Sequence, residues 1–338
     1  MNLNDVHLRR VGFRNGTDVE LSALHAVTTP IEAERGTDQY PAVLDSYVTF
    51  ARSLPSQFDD HAWLVEASDG APAAVGFCWS NRDGDPAVMQ CDIFVPRTLR
   101  RRGIGSLLLD AIRDETATDH RSLLMFSTFD LVPAGDAFAL HHGAHIGRVN
   151  RTSDLALDGT DWPMVQDWIL APMARQRGYR VEFVDGAFPA RLQTDAAKLH
   201  QIMQSAPREN LEIGDTFVDE DFIAELDRHL TESGRERWTA FVRDAHGNCV
   251  GGTEVTFETL VPTSVSQQNT GIDAAHRGFG LAKWVKAAML QRIRDTLPSV
   301  ESIRTNNAFS NEAILSINGR LGFVASSART EWQLRIEL

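Results

Sequence analysis

One pattern occurs twice in this chain of 338 residues, and it limits the folds open to it. The first copy is Asp92-Ile-Phe-Val-Pro-Arg-Thr-Leu-Arg-Arg-Arg-Gly-Ile-Gly-Ser-Leu-Leu-Leu109. The second is Asn269-Thr-Gly-Ile-Asp-Ala-Ala-His-Arg-Gly-Phe-Gly-Leu-Ala-Lys-Trp-Val285. Pairing Gly103 with Gly278 sets the copies 175 residues apart, about half the chain. A repeat of that length predicts two copies of one domain. Each half is long enough to bury its own core.

The order of elements repeats as well. In the first half, His7–Val11 reads as a strand and 17–52 as helical. Strands are predicted at His61–Glu66, Ala73–Trp79 and Val88–Val95, with Asp69-Gly70 and Asp83-Gly84 as hairpin turns. A helix at Ile104–Ala117 and a strand at Ser122–Phe126 follow. The second half predicts a strand at Arg180–Val184, a helix at Thr194–Gln204, and strands at Trp238–Arg243, Val250–Phe257 and Val265–Ile272. Next come helix Leu281–Asp295, strand Ser302–Thr305, helix Asn311–Leu321 closed by Gly322, and strand Glu331–Leu338. The expected boundaries are 1–160, a linker helix at 161–178 interrupted near Pro172, and 179–338.

A strand running into Arg-x-x-Gly-x-Gly and then a helix is an anion cradle. Glycine lets the backbone turn and approach a ligand closely. The helix start offers unpaired N–H groups and the positive end of the dipole. Arg97, Arg100, Arg101 and Arg102 concentrate positive charge there, in a chain whose net charge is −13. A pyrophosphate suits such a turn. No Walker lysine and no third spaced glycine of a dinucleotide fingerprint accompanies it.

The remaining composition excludes other classes. Neither half has the basic footprint of a nucleic-acid binder. No apolar run is long enough to span a membrane, and the first residues carry no signal-peptide core. Cys78, Cys91 and Cys249 form neither a disulfide framework nor a metal knuckle, so a reduced cytoplasm is expected. His141, His142 and His145 lack the acid or cysteine partners of a metal site, and no metal is expected.

Val95-Pro96 and Arg100-Arg101-Arg102-Gly103-Ile104-Gly105 resemble motif A of the GCN5-related N-acetyltransferase (GNAT) superfamily. That motif is a strand followed by [Arg/Gln]-x-x-Gly-x-[Gly/Ala]. In the pairing above, Ala275-His276-Arg277-Gly278-Phe279-Gly280 departs at its first position. Thr305-Asn306 through Asn311, Asn318 and Gly322-Phe323 resembles the late helix and Gly-Phe turn of the family; Ala137 to Ala144 is a degenerate counterpart. The resemblance covers nearly the whole chain as two tandem domains, similar to mycothiol-synthase-like two-domain acetyltransferases. It implies an α/β (α+β) fold in which each domain is a mixed, mostly antiparallel, splayed sheet flanked by helices.

The resemblance also implies acetyl-CoA as acyl donor, lying in a V between two strands. Its pantetheine arm would pair with Ile93, Phe94 and Val95, or with Thr270, Gly271 and Ile272. Its pyrophosphate would sit on Arg101, Arg102, Gly103, Ile104, Gly105 and Ser106, beside Arg100. The second set is Arg277, Gly278, Phe279, Gly280, Leu281 and Ala282, with Asn306 and Asn311 beside the arm. The tyrosine that many GNAT enzymes use as general acid is replaced by Asn318, and Tyr40, Tyr47 and Tyr179 lie elsewhere. Ser316 or water is a candidate substitute, or the thiolate leaves unassisted. The family's glutamate base has no match at Met89 or Ser266; Glu254, which shares a strand face with Glu258, and Asp92 are the candidates.

The expectation is an N-acetyltransferase acting on a primary amine of a small molecule by direct attack. An acidic surface favours a cationic amine. The second domain is expected to catalyse and the first to bind CoA or support the structure. Neither nucleic acid nor membrane is expected as a partner, and the chain would be a monomer or homodimer. The alternatives are a protein lysine or N-terminal acetyltransferase, and a non-catalytic CoA-binding sensor or interaction module.

Overall fold

The computed structural model describes residues 5–37, 40–204, 208–214, 217–259 and 263–337. Two compact units divide the chain. The first is Met1–Val149 with Arg208–Thr216 and Ser327–Leu338; the second is Asn150–Pro207 with Phe217–Ser326.

The first unit contains β1 (Val6–Val11), α1 (Asp18–Arg35), α2 (Leu44–Arg52), β2 (Phe58–Ala67), β3 (Pro72–Asn81), β4 (Val88–Phe94), α3 (Ile104–Thr118), β5 (Leu123–Phe129) and α4 (Ala134–His141). Next come β6 (His145–Ala156), α5 (Trp162–Leu170), α6 (Pro172–Gln176), β7 (Arg180–Asp185), α7 (Gln193–Gln204), α8 (Glu220–Glu232), β8 (Arg235–Arg243) and β9 (Cys249–Glu258). The chain ends with β10 (Ser264–Ile272), α9 (Leu281–Thr296), β11 (Ser302–Ala308), α10 (Glu312–Leu321) and β12 (Val324–Arg335).

Strand order is β1-β2-β3-β4-β5-β12 in the first unit and β6-β11-β10-β9-β8-β7 in the second. β4 with β5, and β10 with β11, are parallel pairs in otherwise antiparallel sheets. Contiguous halves were expected, and the compact units differ from that expectation. β6 follows the first half, yet its residues 150–156 pair with β11. β12 ends the chain, yet Arg329–Arg335 pairs with β5. β6 and α8 do not feature in the sequence-based elements, and β12 begins at Val324 rather than Glu331. The linker helix is broken at Ala171, whose φ is +38°, because the following Pro172 disfavours a helical residue before it.

Period-two alternation buries both faces of the central strands. In β2, Ala62 and Leu64 join a cluster with α1 and α2, while Trp63 and Val65 join Leu108 and Ile112 of α3. The α1 face is aromatic, with Phe13, Tyr40, Tyr47, Phe77 and Phe94 in edge and stacked contacts. In the second unit, Trp238, Ala240, Val255 and Phe257 pack with α9, while Phe188, Leu199 and Phe241 pack with α7 and α8. The segment after α7 is held within the first unit. Asn210 N–H donates to Gly147 O (3.0 Å), Gln333 Nε2 donates to Asn210 O (2.9 Å), and Leu211 packs with Val88 and Met125.

Candidate functional site

Each parallel pair opens into a V. β4 and β5 pair only at Val88, Met89 and Gln90, and β10 and β11 only from Ser264 to Gln267. Beyond those residues the strands run on unpaired to each other. In the first unit the opening is a cavity of about 620 Å³. Cys91, Asp92, Ile93 and Val95 line one arm, and Phe126 to Phe129 the other. Its end is closed by Arg100, Arg101, Gly103, Gly105 and Ser106, all residues expected from the sequence at the cofactor. Phe94 and Ile104 are buried away from it, in the two cores. Arg102 is exposed.

The turns themselves correct the alignment. Arg100 (φ −66°, ψ 158°) follows a 3-10 turn, and its Nε donates to Val95 O at 3.0 Å. Arg277 (φ −74°, ψ 163°) follows the same kind of turn, and its Nε donates to Ile272 O at 3.0 Å. Gly103 (φ +83°) and Gly280 (φ +77°) are the residues before α3 and α9. Arg101 (φ +62°) and Gly278 (φ +87°) match likewise. The structural repeat is therefore 177 residues, not 175: Arg277-Gly278-Phe279-Gly280-Leu281-Ala282 is the second motif. It fits [Arg/Gln]-x-x-Gly-x-[Gly/Ala] fully, and Ala275 is no departure. The shared glycine pair suggested the wrong register because Gly278 occupies the position of Arg101.

No side chain caps α3 or α9, whereas Thr17 caps α1 and Asp219 caps α8. The first-turn amides at both motif turns thus lack the oxygen that a cap would supply. Arg100 does not add a free charge. Its guanidinium pairs with both oxygens of Glu34, and this pairing pulls the Glu34 carboxyl down. It positions the turn, and Arg101 is the cavity-lining cation left beside it.

The cavity also holds a pair that sequence reasoning found only in part. Arg35 Nη1 donates to Asp92 Oδ1 (2.9 Å), and Nη2 donates to Ile93 O (2.7 Å). Burial raises the Asp92 carboxyl, with Arg35 opposing it. Asp92 was visible as a carboxylate near the motif; Arg35 was not, because 57 residues separate it from its partner.

The second unit treats its candidates differently. Glu254 is buried on the α7 face, accepts from Thr239 Oγ1 (2.9 Å), and lies 3.2 Å from His200 Nε2 and 3.6 Å from Arg237 Nε. Burial pushes its carboxyl up, but His200, Arg237 and Thr239 outweigh burial and hold it at about 2. A carboxylate so occupied is a poor proton acceptor near neutral pH, which argues against the general-base role. Asn318 is buried, its Nδ2 donates to Asn307 Oδ1 (2.8 Å), and its Oδ1 has no partner among the described residues. Ser316 is exposed on α10, whereas Asn318 is buried. Asn311 spends its Oδ1 on the Ile314 N–H as helix cap, and Asn306 accepts from Thr152 (2.6 Å). Thr270 contacts Thr253 (2.7 Å), and the β9–β10 register shifts between Gln267 and Thr270 ahead of Gly271 and Ile272. Phe279 stacks on Tyr179, whose OH contacts His276 Nδ1 at 2.8 Å. Leu281 is buried in the core, and Ala282 packs against it.

His61, Glu115 and Asp119 bring ligand atoms within 4.8 Å of one another, but Arg10 already bonds His61 and Glu115. His141 lines the cavity and His142 contacts Ser106 Oγ (3.1 Å). Among the described residues no helix is long and apolar enough to cross a membrane.

No protein-family model and no curated protein matches the sequence. Solved structures do. This chain has the fold of a tandem GNAT protein. A tandem GNAT protein from the clavulanic acid biosynthesis pathway is 22% identical with a TM-score of 0.78, covering 98% of this chain and 99% of that one. A GCN5-related N-acetyltransferase from Sphaerobacter thermophilus is 14% identical with a TM-score of 0.68, covering 100% and 98%. A GCN5-related glucosamine N-acetyltransferase region of a fungal multi-domain β-N-acetylglucosaminidase is 11% identical with a TM-score of 0.63, covering 97% of this chain and 38% of that one.

Proposed function

We propose that the chain is an acyltransferase that moves acetyl from acetyl-CoA to a primary amine of a small molecule. One observation carries this reading: the V between β4 and β5 opens a cavity that ends on an uncapped, glycine-built helix start. An extended thioester arm fits the V, and a pyrophosphate supplies the oxygens that the first-turn amides lack. The second unit repeats the splay and the turn, so both units are read as CoA sites. The motif residues that line the first cavity, and their counterparts in the second unit, remain the candidates, with Arg100 and Arg277 as positioning residues and Glu254 no longer assigned as base.

Transfer is assigned to the second unit. The register shift between Gln267 and Thr270 takes β10 out of regular pairing, the kind of irregularity that re-aims a backbone group beside a reacting carbonyl. β4 pairs with β3 without such a shift, and Asp92 is tied to Arg35. The amine attacks the thioester directly as its neutral form, and the thiolate leaves. A small amine is also what the glucosamine N-acetyltransferase neighbour takes by its name. The chain is proposed to act in the cytoplasm as a monomer or homodimer.

The test is CoA stoichiometry together with thiol release from acetyl-CoA across an amine panel. Two equivalents of CoA bound, with release on at least one amine, support the reading. Binding with no release on any amine favours a CoA-binding sensor, which the tied-up Glu254 and the asparagine at 318 motivate. Release only on peptides points to a protein substrate.

A further inference from the structure

Helices α3 and α9 keep the 177-residue register along their length. Ile104, Leu108 and Ile112 correspond to Leu281, Val285 and Met289, and all six are buried. At one buried position of this register a charge stands in place of an apolar side chain: Leu109 corresponds to Lys286. Leu109 lines the first unit's cavity. Lys286 is thus a charge at the position where its counterpart faces the V, and it is 3% exposed.

Lys286 Nζ lies 5.7 Å from the centroid of the Phe323 ring. Burial alone lowers its ammonium, to about 7. The charged groups on the elements packed against α9 are engaged elsewhere or exposed. Glu254 and Arg237 face His200 and Asp227; Arg243 pairs with Glu182 and Asp195; and Arg235 pairs with Glu258. Glu236 accepts from Trp238, Asp167 is exposed, and β10 has no charged residue. Phe323 also donates its N–H to Asn318 O (3.0 Å), and Asn318 Oδ1 is a buried acceptor without a partner among the described residues. A buried ammonium and an incompletely bonded buried amide therefore share one neighbour.

We propose that Lys286 is the acid that protonates the departing CoA thiolate in the second unit, the role that GNAT enzymes with a tyrosine at the Asn318 position give to that tyrosine. The proposal rests on the transferase reading above. The amine lone pair forms the C–N bond, and the C–S bond breaks with its electron pair going to sulfur. The Lys286 ammonium gives that sulfur a proton. The attacking nitrogen loses its proton to solvent, and neutral Lys286 regains one from solvent. Alkyl thiols ionise near about 8.5, so an ammonium poised near neutrality can give its proton to the thiolate.

The test compares wild-type Lys286 with Lys286→Met, both carrying Gly103→Glu so that bound CoA reports the second unit. Thiolate absorbance of bound CoA is followed against pH, and acetyl transfer is measured on the same proteins. Expected at and below pH 7, where Lys286 still carries charge, is a thiolate fraction about tenfold higher with Lys286 than with Met, and transfer about 100-fold slower in the Met variant. Melting curves check the fold, and Lys286→Leu, the residue of the first unit, is the second variant. Equal thiol ionisation, or transfer within threefold, overturns the proposal. Absence of CoA binding in both proteins overturns the transferase reading and this proposal with it.

Discussion

Arg100 and Arg277 make the same bond: each Nε donates at 3.0 Å to the carbonyl five residues before it, Val95 in one case and Ile272 in the other. That shared clamp sets the register between the two motif turns. It also decides which glycines matter.

Gly278 and Gly280 should respond differently to substitution. Arg101 already carries a side chain at the conformation of Gly278, and a Cβ on Gly278 meets open space. Gly278→Arg is therefore expected to fold, at a cost of about 1 to 2 kcal/mol for the left-handed backbone. Gly280→Glu puts a strained carboxylate at the helix start, where the pyrophosphate is placed. It is expected to abolish turnover. Gly103→Glu should remove one CoA equivalent by calorimetry and leave substantial turnover. The reverse pattern would move transfer to the first unit.

Lys286→Met should stabilise the fold. The native ammonium titrates at about 7, against 10.5 for the ordinary group. Between those values the unfolded chain binds more protons than the native one, so wild-type stability rises with pH. Below pH 7 the full desolvation cost is present. The gain from Met is thus expected to be largest at and below pH 7 and to fade towards pH 10.5. Urea denaturation across that range measures it.

Glu254→Gln should act on stability rather than on the pH profile of turnover. Its carboxyl is held at about 2, below the usual 4.5, so its contribution is present above pH 4.5 and lost as pH falls towards 2. Removing the charge leaves Arg237 and His200 short of a partner, at about 3 kcal/mol. If Glu254→Gln instead removes the acid-side limb of the rate profile, the limb that a carboxylate base sets as it is protonated, while melting normally, the base role returns.

Asp92→Ala leaves the Arg35 guanidinium over the Phe94 ring, with Glu32 at 3.7 Å as a carboxylate neighbour and the Ile93 carbonyl at 2.7 Å. A loss of about 3 kcal/mol is expected. Asp92→Ala with Arg35→Met should recover much of it, as a double-mutant cycle would measure.

The sequence made the local geometry legible. Glycines at positive φ, the periodic apolar residues of α3 and α9, and the Asp-Gly hairpin turns act over a few residues, so the motif turns and most elements could be read from it. Its alignment of the motifs was two residues out, because identical residue types can hold different backbone positions. Arg100 read as a phosphate-side cation, yet Glu34, 66 residues away, takes up its charge.

Two copies of one domain, with a glycine-built turn ahead of a helix in each, were legible in the sequence alone. The tertiary structure decided which strands complete which sheet, since pairing β12 with β5 joins residues some 200 positions apart and no local preference encodes it. It also decided that Glu254 is a neutralised core ion and that Lys286 is a desolvated cation. Solvation and charge pairing depend on which distant residues fold around a group, and the residue type alone does not carry that information.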